Sequence, residues 1–130
     1  MRFALSVVAV LIAGSAMADT SSPAGSWLAE DIRGGGVIDN LQTTLEIASD
    51  GSVSGTGGCN RYFGKAEIDE ASIAFGPLGS TKMACAPAVM DQEQKFFDAL
   101  TEVAGWHLES TGHLVLLDTD GKPLVRLIEN

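Results

Sequence analysis

Apolar and polar residues alternate in short runs over most of this chain, and alternation with a period of two marks half-buried strands. The first run is Trp27–Ile32, broken by Gly34-Gly35-Gly36. From Thr43 to Ala48, Leu45 and Ile47 share one face while Thr44 and Glu46 share the other. Ser49-Asp50-Gly51 is a turn signal, and Ser52-Val53-Ser54 starts the return strand of a hairpin. A second pair follows: Lys65–Asp69, with Ala66 and Ile68 inward, then Ser72–Phe75, with Ile73 and Phe75 on one face. Gly76 and Pro77 end that strand.

The period then changes. Val89, Phe96, Leu100 and Val103 recur at roughly helical spacing, with Met90 and Phe97 alongside, which predicts a helix over residues 87–104. Pro87 suits its first turn, Asp91 and Glu93 are placed to favour its dipole, and Gly105 is its expected terminator. Strand patterning resumes in Trp106–Glu109, His113–Leu117 and Pro123–Ile128, separated by Thr111-Gly112 and Asp118–Gly121 turns. The middle run, Leu114-Val115-Leu116-Leu117, is apolar throughout, as a strand buried on both faces would be. The economical architecture is α+β and mainly β: about seven or eight antiparallel strands in one curled sheet, an incomplete barrel, packed on a single helix.

The first residues follow a different rule. Arg2, the apolar run Phe3–Ala13 and the small-residue site Ala16-Met17-Ala18 have the order of a cleavable secretory signal, so residues 1–18 are expected to be removed. The apolar run is too short to span a bilayer, which takes about 20 residues. Residues 19–24 are expected to be a flexible leader, and residues 25–130 one domain. There is no Cys at the cleavage site, so the expected product is periplasmic or secreted, and neither a lipoprotein nor a membrane-spanning protein. The 130-residue chain carries a formal net charge of −9. Loss of Arg2 makes it more acidic still, which argues against nucleic acid and anionic lipid surfaces as partners.

Two cysteines, Cys59 and Cys85, permit one bridge in an oxidising compartment. Two free buried thiols or one reactive thiol are the alternatives. Gly55–Asn60 is glycine-rich but lacks the Lys-Ser/Thr ending of a phosphate loop. Its glycines fit a tight bend, with Asn60 a candidate for a left-handed conformation. Arg61 and Tyr62 fit an exposed binding loop, although Tyr62-Phe63 fits the core better. His107 and His113 flank one predicted hairpin and lack further zinc ligands; no metal or cofactor is expected. Asp118 and Asp120 are turn formers, and Asp91 and Glu93, two apart on a helix, do not make an acid/base pair. No catalytic constellation emerges, so the chain is expected not to be an enzyme.

Four segments carry a resemblance. Gly58-Cys59-Asn60-Arg61-Tyr62-Phe63-Gly64 resembles a GCN-x-Y-x-G signature, and Ser80-Thr81-Lys82-Met83-Ala84-Cys85 resembles S-T-[RK]-M-A-C. Glu93–Leu100 resembles an E-x-x-[FY]-x-x-x-L helix, and Trp27-Leu28 resembles an opening W-x-L strand. Together they resemble the META (HslJ-like) domain family over about residues 25–129. That resemblance implies antiparallel strands curled around a helix, residence in the bacterial envelope, and a link to heat stress and antibiotic tolerance. It supplies no catalytic residues, so Gly58, Asn60, Tyr62, Gly64, Thr81, Met83 and Ala84 transfer as structural signature positions only. The expected picture is a joint in which the two signatures meet beside the helix, in a monomer that binds an unidentified protein partner or an apolar ligand. The competing picture is a periplasmic inhibitor of a basic hydrolase such as lysozyme, favoured by the acidic charge.

Overall fold

The computed structural model describes residues 22–130. The expected signal segment, residues 1–18, and the first part of the leader lie outside the described residues. At Ser22–Ala24, the described end of that leader, Pro23 is buried and its carbonyl accepts the Trp27 indole N–H at 2.8 Å.

Nine strands and one helix follow in the order β1 (Gly25–Ile32), β2 (Thr44–Ile47), β3 (Ser52–Thr56), β4 (Arg61–Asp69), β5 (Ser72–Phe75), β6 (Gly79–Ser80), α1 (Pro87–Thr101), β7 (Gly105–Leu108), β8 (Leu114–Leu117) and β9 (Pro123–Glu129). The class is the expected one, mainly β with a helix, but the sheet is not open. Strands run β3-β2-β1-β9-β8-β7-β5-β4, and β4 pairs back onto β3, so eight antiparallel strands close a barrel. The closing step from β5 to β7 is slight: Ser72 pairs with Gly105, supported by Ile73 N–H to Ala104 O and Trp106 N–H to Ala71 O. Alternation within each strand is blind to so short a contact. It is enough, because closure leaves no long unpaired edge between β5 and β7.

The ninth strand, β6, pairs only with β4. Phe75 faces Ala66 and Gly79 faces Phe63, so β5 and β6 are one strand interrupted by Gly76-Pro77-Leu78. Proline belongs at such a break because it cannot donate to the ladder.

The alternating faces converge inside. Trp27, Ala29, Leu45, Ile47, Val53, Tyr62, Ala66, Ile73, Leu114, Leu116 and Leu127 form one core with Phe96, Ala99, Leu100 and Val103 from the helix side. Two bulges adjust the alternation. The β1–β9 register shifts between Ala29 and Asp31, which lets Ile32 point inward although Ala29 also does. The β8–β9 register shifts after Leu116, and Leu124 and Val125 are both buried. Val115, opposite His107 and Arg126, is buried on the outer face, so β8 is covered on both sides as its composition implies.

The helix is shorter than its pattern. It ends at Thr101, where the Glu102 N–H donates to Ala99 O and the Val103 N–H to Leu100 O, and Gly105 is the first residue of β7 instead of the terminator. The chain turns earlier because Ala104 N–H must reach Leu117 O to enter the sheet. No acidic residue stands in the first turn; Asp91 and Glu93 lie beyond it. The dipole role expected of Glu93 is therefore replaced by the one described next.

Candidate functional site

The two signature segments meet against the first half of α1. Cys59 and Cys85 are disulfide-bonded, with Cα atoms 6.1 Å apart. That geometry removes both free-thiol alternatives.

Glu93 is the centre of the joint. It is buried, and it occupies the helix face that the apolar stripe Val89–Phe96 skips over. Its Oε1 accepts the backbone N–H groups of Cys59 at 2.9 Å and Asn60 at 2.6 Å, while Oε2 accepts the Asn60 side-chain amide at 2.8 Å. A buried carboxylate is tolerable only when donors replace its water, and three do so here. Asn60 relays the tie outward. Its Oδ1 accepts Thr81 Oγ1–H at 2.8 Å and Met83 N–H at 2.6 Å, and its Nδ2 also donates to Met83 O. Arg61 and Thr81 exchange hydrogen bonds, Arg61 N–H to Thr81 Oγ1 and Thr81 N–H to Arg61 O, which extends the β4–β6 ladder by one step.

A second polar chain runs beside the first. Gln92 is buried; its Oε1 accepts Ile38 N–H at 2.8 Å and its Nε2 donates to Thr43 Oγ1 at 3.0 Å. Thr43 Oγ1–H in turn donates to Gly57 O at 2.9 Å. Two successive helix residues thus fasten four separate stretches: the Ile38 loop, Thr43, the Gly57–Asn60 bend and the Thr81–Met83 segment. Gln92 was not singled out by pattern, since a polar residue on a helix is ordinarily on its solvent face, and Thr43 marked only the start of an alternating run. The signal was present: the interval from Val89 to Phe96 is two helical steps, and its middle slot holds Gln92 and Glu93.

The other signature positions have separate tasks. Gly58 has φ +131°, outside the range open to side chains. Asn60 is not left-handed, contrary to expectation; among the described residues the positive-φ residues other than glycine are Arg33, Asn40 and Glu70. Its side chain is committed to Glu93 and Met83, so its identity follows from hydrogen bonding and not from backbone strain. Tyr62 is core. Its ring meets Phe96 and Phe97 edge-on, with centroids 5.8 and 5.3 Å away, and its hydroxyl donates to Thr44 O at 2.6 Å. Burial first, and the Glu46 carboxylate second, push its phenol well above the ordinary range, so it remains a neutral donor. Gly64 passes under the Pro77-Leu78 break: a Cβ there would lie 2.9 Å from Pro77 O and 2.8 Å from Leu78 Cδ2. Thr81, Met83 and Ala84 belong to an exposed stretch running from Thr81 to Ala88, held down by Asn60 and the disulfide.

The remaining candidates do not converge. His107 lies opposite Val115 and not His113, whose Nε2 is 3.0 Å from Glu30 Oε1. Asp118 Oδ1 accepts the N–H groups of Asp120 and Lys122, an ordinary turn. Among the described residues no group of three or more His, Cys, Asp or Glu is placed to hold a metal.

A closed eight-stranded antiparallel barrel with one packed helix, tied by a disulfide and a buried Asn–Glu pair, defines a class of small β domain. The chain belongs to the META domain family, whose model matches residues 20–130. Its fold is similar to that of a protein from Burkholderia xenovorans known by NMR, 23% identical, with 93% of this chain and 99% of that one covered and a TM-score of 0.64. A second NMR structure is 22% identical over 78% of this chain and 86% of that one, with a TM-score of 0.61. The crystal structure of a DUF4847 family protein from Bacteroides vulgatus ATCC 8482 is 15% identical over 82% and 93%, with a TM-score of 0.58. At these identities the likeness is one of fold. No curated protein matches the chain.

Proposed function

We propose that this protein is an exported envelope accessory protein, linked to stress or antibiotic tolerance, that works by binding a protein partner and not by catalysis. The observation that carries the reading is the commitment of the signature's polar groups. Glu93 is engaged by three donors and Asn60 by Glu93, Thr81 and Met83, which leaves neither aimed at a substrate. Such a site stabilises; it does not offer a poised nucleophile or base. The disulfide fits folding in an oxidising compartment, and no helix among the described residues is long and apolar enough to cross a membrane.

An apolar guest fits the barrel less well than a protein partner does. The barrel interior is taken up by Tyr62, Phe96, Leu45, Leu100, Leu114 and Leu116, all fully buried. A guest would have to displace packed side chains at a cost of several kcal/mol. A protein partner needs only the surface. The test is affinity capture from the native envelope with the exported protein as bait, followed by native mass spectrometry of the bait. A reproducible, stoichiometric protein partner is expected. A stoichiometric lipid in place of a protein would overturn the reading, as would turnover of a substrate by the purified chain. Salt-sensitive inhibition of lysozyme would move the assignment to the hydrolase inhibitor that the net charge of −9 favours.

A further inference from the structure

Phe63 is the most exposed large apolar side chain among the described residues, at 61%. It is not loose. Gly79 lies opposite it on β6, and a Cβ there would come within 2.8 Å of Phe63 Cζ and 2.9 Å of Cε2. The ring therefore rests on the glycine backbone and turns its other face to solvent. Arg61 and Lys65 flank it on the same outward face of β4, both exposed, while the intervening Tyr62 is buried. Their neighbours on β3 are small: Thr56 opposite Arg61, Ser54 opposite Phe63 and Ser52 opposite Lys65. Lys82 follows Thr81, whose N–H is bonded to Arg61 O, and so adds a third cation at that end.

The charge of this strip runs against that of the chain. Arg33 and Arg126 are paired with Glu102 and Glu109, whereas Arg61, Lys65 and Lys82 form no ion pair among the described residues. Carboxylates bound the strip without forming ion pairs to it: Glu46, opposite Ser54, lines one cleft with Arg61, Glu67 follows Lys65 on the same face of β4, and Asp50 is felt from the Lys65 end. An immobilised aromatic ring between unpaired cations is the composition of an interaction hot spot, since ring and guanidinium dominate binding energy where they cluster.

We infer that the outward strip Arg61–Phe63–Lys65, with Lys82 beside it, is the docking surface for an acidic peptide segment of a partner protein. An apolar side chain of that segment sits on Phe63, and its carboxylates meet the flanking cations. The inference deepens the binding-protein reading above and rests on it.

The test uses three fluorescent peptides, alternating Glu-Leu, alternating Glu-Gly and alternating Lys-Leu, titrated by anisotropy at low and high salt. The Glu-Leu peptide should bind about tenfold tighter than either other peptide and weaken with salt. Phe63→Ser and the pair Arg61→Glu with Lys65→Glu should each cost about tenfold in protein that remains folded by circular dichroism, with the melting temperature of Phe63→Ser lowered slightly by the lost packing on Gly79. Amide shifts on binding should map to Arg61–Lys65 and Gly79. Equal binding by Phe63→Ser, preference for the Lys-Leu peptide, shifts centred elsewhere, or no binding of any peptide would overturn it. A partner captured equally by wild type and Phe63→Ser would leave the binding function standing and remove this surface from it.

Discussion

Asn60 meets Glu93 twice: its backbone N–H donates to Oε1 at 2.6 Å and its side-chain amide to Oε2 at 2.8 Å. The pair lies where the GCN bend, the exposed signature segment and the helix come together. A carboxylate is well suited to the place because it accepts on both oxygens and competes with neither donor.

Glu93→Ala should therefore be among the most damaging single changes in the protein. It removes hydrogen bonds to a charged acceptor and strands the buried donors of Asn60. Losses of this kind run to about 3–5 kcal/mol. Glu93→Gln keeps the shape but puts a donor where an acceptor is needed, and should cost about 1–3 kcal/mol. Urea unfolding followed by tryptophan fluorescence measures both. Equal costs would mean that packing, and not the acceptor pair, is what Glu93 contributes.

The disulfide secures the same joint by another route. It closes a loop with a sequence separation of 26, for which chain entropy gives about 3.5 kcal/mol. Reduction should lower the unfolding free energy by roughly that amount, a sizeable part of the total for a small domain. Because Cys59 N–H also donates to Glu93, the two losses should not add. Cys59→Ser with Cys85→Ser, crossed with Glu93→Gln, should show a coupling of about 0.5–3 kcal/mol in denaturant melts. Strict additivity would separate the bridge from the polar cluster.

Much of this arrangement was legible in the chain, and the gaps have physical causes. Strand alternation located Trp27–Ile32, Thr43–Ala48 and Lys65–Asp69 because one face of each is buried. A Cys59–Cys85 bridge was legible as one option among three, since two cysteines in an oxidising compartment permit a single pair. Barrel closure was not legible, because it hangs on the single pair Ser72–Gly105, whose formation depends on sheet curvature and not on local composition. The bulges at Glu30 and Leu124 were hidden for a related reason: an extra residue changes which side chains face inward only once the partner strand is known. Helical periodicity is a property of apolar residues, so it gives Gln92 no place and Glu93 only a dipole role, not the buried one it has. A gap in an otherwise regular stripe, filled by Gln and Glu, is what a buried polar tie looks like in sequence.

Gly64 should resist substitution although it is neither a turn nor a positive-φ residue. Gly64→Ala would drive a methyl group toward Pro77 O, a backbone atom with no rotamer to give. The Gly76-Pro77-Leu78 break must then shift, loosening β6 from β4. Overpacking of this sort costs about 1–3 kcal/mol. Hydrogen exchange should reveal faster opening at the β4–β6 rungs, Tyr62–Ser80 and Phe63–Gly79, with the β8–β9 rungs unaffected. A uniform loss of protection would place the damage in the core instead.

The outer face of β8 predicts a pH response. Arg126 donates to Glu109 Oε1 through Nη2 at 2.8 Å and Nε at 3.2 Å, across the strand that carries Val115. The hydrogen bond from Arg126, followed by its charge, holds the Glu109 carboxyl below its ordinary value of 4.5, and the nearby histidines add to this. A carboxyl with a depressed folded-state pKa contributes stability above its unfolded value and loses it as pH falls through the folded one. Glu109 should thus titrate below 4.5 by NMR, and in Arg126→Gln its midpoint should move up toward that value. The same substitution should flatten the pH dependence of stability between the two midpoints and leave it unchanged at neutral pH apart from a constant offset. Because the pair is exposed and screened by water, the offset should be small and should shrink further in salt. An unmoved midpoint in Arg126→Gln would assign the low value to His113 and His107 and not to the guanidinium.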